Sequence, residues 1–111
     1  MLVLLGCAEG PMVLGAEARV EELEASARAV DVVLRASEQG VMTLSGHIGQ
    51  VCEEGCWFYL LGQSGVLYVK LDLVQGLVVP PKSTGQKALV RGKLETANGA
   101  HTLIAETVIL Y

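Results

Sequence analysis

Gly40-Val41-Met42-Thr43-Leu44-Ser45-Gly46-His47-Ile48-Gly49-Gln50-Val51 is where the chain changes its periodicity. Met42, Leu44, Gly46 and Ile48 fall on one side and Thr43, Ser45 and His47 on the other, the two-residue period of a strand with one buried face. Ahead of it, Glu17–Gln39 holds no Gly or Pro, and Val20, Leu23, Ala27, Val30 and Leu34 recur every three or four residues. That spacing predicts a helix over 17–39, in one piece or broken near Ser26, with Gly40 as its stop. Its expected task is to cover an apolar opening of a sheet or barrel.

Four more alternating runs follow: Trp57–Leu61, Val66–Leu73, Gln86–Glu95 and Ala100–Tyr111. Leu67, Val69, Leu71 and Leu73 point inward from the third strand, and Ala88, Val90, Gly92 and Leu94 from the fourth. Gly62-Gln63-Ser64-Gly65 and Asn98-Gly99 are turn sequences, because their glycines tolerate positive φ. Residues 75–85 contain Pro80-Pro81 and read as a long connection, since proline cannot pair inside a sheet. The expected fold is therefore mainly β: a five-stranded, OB-fold-like Greek-key barrel over 41–111, preceded by an N-terminal helix. An SH3-like barrel is the competing architecture.

The chain has 111 residues, enough for one modest core. A single domain over 17–111 is expected, with residues 1–16 as a leader-like start and tether. Net charge is −4. Residues 1–40 hold three arginines against seven acids, and the remainder balances five basic against five acidic groups. A basic excess, the usual footprint of phosphate neutralisation, is absent, which argues against nucleic acid as the partner.

Leu4-Leu5-Gly6-Cys7 resembles the lipobox of bacterial lipoproteins, which implies a lipid at Cys7 and a membrane link through that lipid alone. No basic n-region is present and the apolar run is too short for a full leader, so either the resemblance is accidental and the protein cytoplasmic, or the true start lies upstream. This reading places the protein outside the cytoplasm, in the periplasm or lipid-anchored, where disulfides persist. Cys52-Glu53-Glu54-Gly55-Cys56-Trp57 joins the first two strands. With Cys7 lipidated, Cys52 and Cys56 remain as a pair, and a disulfide stiffening this loop is the expected state. Unlinked thiols, a copper or zinc site on Cys52 and Cys56 with His47, and thiol redox chemistry are the alternatives.

Ser45-Gly46-His47-Ile48-Gly49-Gln50-Val51-Cys52, followed by Gly55-Cys56-Trp57-Phe58, resembles an uncharacterised bacterial family of exported OB-fold-like proteins with a Gly-Cys-Trp motif. More distantly, residues 30–110 are similar to the periplasmic bacterial OB-fold family. The resemblance implies fold and compartment and carries no assigned activity. OB-folds bind ligands across their second and third strands. On that face Trp57, Tyr59, Tyr68 and Lys70 are the candidate ligand contacts, for a small molecule, glycan or protein. No nucleophile-elbow or phosphate-loop spacing occurs. The reading is a non-enzymatic exported binding module, with copper or zinc handling or thiol redox at Cys52 and Cys56 as the alternative.

Overall fold

A computed structural model of the chain describes residues 11–36, 38–71 and 76–111. Among them the sheet has seven strands. In chain order the elements are β1 (Met12–Gly15), α1 (Val20–Ser26), β2 (Arg28–Ala29), α2 (Val30–Ala36), β3 (Gly40–Val51), β4 (Trp57–Leu61), β5 (Val66–Lys70), β6 (Lys87–Ala97) and β7 (Ala100–Leu110). A short 3-10 turn, Pro81–Ser83, interrupts the connection from β5 to β6.

The five long runs expected as strands are present as β3 to β7. β3 pairs antiparallel with β6 through Gly40–His47, and with β4 from His47 onward. β4 pairs with β5, β5 runs parallel to β7, and β7 pairs antiparallel with β6. Following these ladders leads back to β3. The ring is uneven: β6 and β7 pair along Ala88–Ala97, whereas β5 meets β7 only over Tyr68–Lys70. A register shift between Ile48 and Val51 in the β3–β4 ladder and another at Arg91/Gly92 in the β6–β7 ladder bend the sheet.

Three expectations are sharpened or corrected. First, of the two forms expected for 17–39, the one broken near Ser26 is found: two seven-residue helices separated by β2, which was not expected. Ser26 Oγ donates to the carbonyls of Glu22 (3.0 Å) and Leu23 (3.3 Å), and Ala27 is already extended. Such back-bonding competes with continuation of the helix. Arg28 and Ala29 then pair with Leu44 and Ser45, and Arg28 holds Glu38 through two guanidinium hydrogen bonds of 2.7 and 2.5 Å. Second, part of the expected tether is structured: β1 pairs with the last strand, Met12 opposite Leu110. Third, the third strand ends at Lys70 rather than Leu73; residues 72–75 lie outside the described ones.

The break in the helix also divides the core. Val30 and Val33 of α2 join Leu44, Phe58, Leu60, Leu67, Leu94 and Leu103 in the main cluster. Leu23 of α1 belongs to a second cluster with Leu89 and Ile109, on the other side of β6 and β7. Tyr111 ties the end of β7 to α1: its hydroxyl donates to Glu24 at 2.5 Å, and burial with that carboxylate pushes the phenol up to about 12. Among the described residues, no buried side-chain N or O atom lacks a hydrogen-bond partner.

Candidate functional site

The loop between β3 and β4 is fixed by backbone hydrogen bonds. Cys52 N–H donates to Trp57 O (2.9 Å), which closes the hairpin, and Gly55 N–H donates to Cys52 O (2.8 Å), which forms the turn. The distant segment then clamps it: Leu71 N–H donates to Cys56 O (3.0 Å) and Val79 N–H to Gly55 O (3.1 Å). Gly55 has φ +78 and is buried; a Cβ there would lie 2.7 Å from Val79 O. Only glycine meets both demands.

Within this turn the Sγ atoms of Cys52 and Cys56 are 2.9 Å apart. A disulfide bond is about 2.05 Å long. The expected disulfide is therefore not formed, and both cysteines are free and half-buried. The stiffening ascribed to it comes instead from the four backbone bonds. The thiols share a hydrogen bond that holds Cys52 below its ordinary range and Cys56 above it; the N–H groups of Cys56 and Glu54 reinforce the first shift and desolvation the second. Glu54 is the member of the site that the sequence alone did not reveal. Its carboxylate and the two Sγ atoms all lie within 4.8 Å of one another. In sequence it reads as a solvated loop tip, and only the turn brings it back over the thiols.

His47, the expected third metal ligand, is not part of this group. It sits on β3 opposite Leu61, exposed, and faces an open groove of about 440 Å³ between α2, β3 and the β4–β5 turn. Asp31 closes one end of that groove. Its carboxylate accepts from Gln63 N–H (2.7 Å) and Ser64 N–H (3.1 Å), which hold it below the usual carboxylate range. Cys7 lies outside the described residues.

The aromatic candidates are brought together. Trp57 and Tyr59 stand two residues apart on one face of β4, and Tyr68 lies directly opposite Tyr59 on β5. Their ring centroids are 5.4 Å (Trp57–Tyr59), 6.1 Å (Trp57–Tyr68) and 6.0 Å (Tyr59–Tyr68) apart, at tilted or edge-on angles. All three rings are half-buried, while Phe58, Leu60, Leu67 and Val69 between them face the core. Lys70 is opposite Trp57 and exposed, and Ile104 and Thr102 of β7 extend the same surface.

No protein-family model and no curated protein matches the chain. Among solved structures, the chain is similar to that of the hypothetical protein ygiW from E. coli, with 17% identity and a TM-score of 0.57 over 78% of this chain and 90% of that one. At that identity the similarity shows a shared fold. Among the described residues, no helix is long and apolar enough to cross a membrane.

Proposed function

We propose that this protein is a non-enzymatic binding module of the OB-fold kind, taking its ligand on the outer face of β4 and β5. One observation carries the reading: Trp57, Tyr59 and Tyr68 form a contiguous patch of rings that the core leaves half-open. Aromatic rings in tilted contact form a rigid platform, because each has few rotatable bonds to order on binding. Such a platform suits the faces of sugar rings or other flat, weakly charged groups, and Lys70 at its edge supplies a cationic donor. The closed ladder order with a parallel β5–β7 pair supports an OB-like barrel over an SH3-like one, as does the fold shared with ygiW.

The proposal includes export, with a lipid on Cys7, on the strength of Leu4-Leu5-Gly6-Cys7. Fractionation of cells labelled with a radioactive fatty acid tests it: label lost in Cys7→Ser supports the anchor, and unlabelled protein in the cytosolic fraction removes it. For the binding face, an oligosaccharide panel and an oligothymidylate are titrated at low salt while Trp57 fluorescence is followed. Saccharide binding that weakens roughly tenfold in Tyr59→Ala or Tyr68→Ala supports the reading, since one stacked ring is worth about 1–3 kcal/mol. Binding that leaves the Trp57 signal and both variants unaffected would place the ligand elsewhere and sink it.

A further inference from the structure

We infer that Cys52, Glu54 and Cys56 form a binding site for a divalent, zinc-type cation, with a coordination position left open to solvent. Two sulfurs and one carboxylate oxygen within 4.8 Å of one another make a donor set of S2O type. Zinc accepts both donor kinds, at about 2.3 Å for sulfur and 2.0–2.2 Å for oxygen, usually in a tetrahedron. Those lengths place two sulfurs on one tetrahedral zinc roughly 3.7 Å apart. From 2.9 Å the two sulfurs therefore have to separate by only about 0.8 Å. Cu(I), which favours two nearly opposed thiolates, would force the sulfurs much further apart and makes no use of Glu54.

The loop favours this site because its ordering precedes the metal. Cys52, Gly55, Cys56 and Trp57 are held by four backbone hydrogen bonds, two of them from Leu71 and Val79 across the loop. Metal affinity then need not be spent on folding the ligand loop, unlike that of small metal-dependent domains. Three protein ligands leave a fourth position for water, the arrangement of an open rather than a closed structural site. Glu54 is exposed, so the open position faces solvent at the tip of the loop.

The test uses the full chain, reduced and stripped of metal. Zn2+ is titrated in competition with a chromophoric chelator, and Co2+ is followed by its visible absorption. The expected result is one metal per chain, a thiolate-to-cobalt charge-transfer band, and proton release on binding. Cys52→Ser and Cys56→Ser each abolish the cobalt band. Glu54→Gln, at an exposed position, keeps the far-UV circular dichroism and weakens zinc by roughly tenfold or more, at least the scale of losses seen for outer-shell changes. His47→Ala leaves affinity unchanged. Failure to compete with the chelator overturns the site, as does binding that survives both cysteine substitutions. A loss in His47→Ala together with an unaffected Glu54→Gln overturns this ligand set. Saccharide titration of the aromatic face is independent of every one of these outcomes.

Discussion

Gly55 shows how much a single position governs. Its left-handed φ and its packing against Val79 O leave no room for a Cβ. Gly55→Ala is expected to lower stability by more than about 1 kcal/mol, because the conformation alone costs an L-residue about that much. A urea midpoint measures the loss, and thiol reactivity at Cys52 and Cys56 should rise with it as the clamp loosens. Asp31 works through charge. Its folded carboxyl is held below the free value of 3.8 by the Gln63 and Ser64 amides. The sign follows: the stabilisation is complete above 3.8 and disappears as pH falls through the lowered folded value. Asp31→Ala should therefore be less stable than the parent at neutral pH, and the two should converge in acid. Thermal melts across pH settle this, and a gap that persists in acid would contradict the capping role. Gly55 stands out in the sequence only as part of the Gly-Cys-Trp motif and Asp31 not at all, because each acquires its structural meaning from a partner 24 or more residues away.

At the scale of elements, β4 separates the core from the proposed binding face within successive residues. Phe58 is fully buried in the main cluster, whereas Tyr59 stands half-open on the outer face. Phe58→Ala should cost about 3–5 kcal/mol by denaturant titration. Tyr59→Ala should cost clearly less and act mainly on ligand affinity; equal losses would mean that the outer rings are core. The alternation that made β4 and β5 legible in sequence exists because each has one buried face, so period two is written into it, whereas β6 and β7 are buried on both faces where α1 covers Leu89 and Ile109. In the helical region a break near Ser26 was legible, but the strand that fills it was not: Arg28 and Ala29 pair with β3 and Arg28 holds Glu38, contacts that local propensity does not contain. β1 was hidden for a similar reason. Gly10-Pro11 punctuates the chain just before it, and its partner among the described residues, β7, lies at the far end of the sequence. The site was half legible: the thiol pair and the aromatic face stand out in the sequence, while Glu54 enters through the turn.

For the whole molecule, the ring is as strong as its shortest ladder. β5 and β7 meet over Tyr68–Lys70 alone, against the long β6–β7 hairpin. Native-state hydrogen exchange should find the slowest amides in β6 and β7 and much faster ones at the β5–β7 seam, since local opening follows the fewest shared bonds. Uniform protection around the ring would refute that ranking. The aromatic platform lies beside this seam, so a ligand bridging Tyr68 and Thr102 should slow exchange there first.

The pairing of β1 with β7 makes the segment from Pro11 to Tyr111 nearly circular. Met12 and Leu110 are direct antiparallel neighbours, and such partners stand only about 5 Å apart. A two-residue link from Tyr111 back to Pro11 would turn these ends into an ordinary hairpin, and the Asn98-Gly99 turn, which already takes positive φ at both residues, offers a place to cut. A permuted chain beginning at Gly99 should thus recover the same barrel, with the order in which its strands leave the ribosome rotated and its architecture untouched.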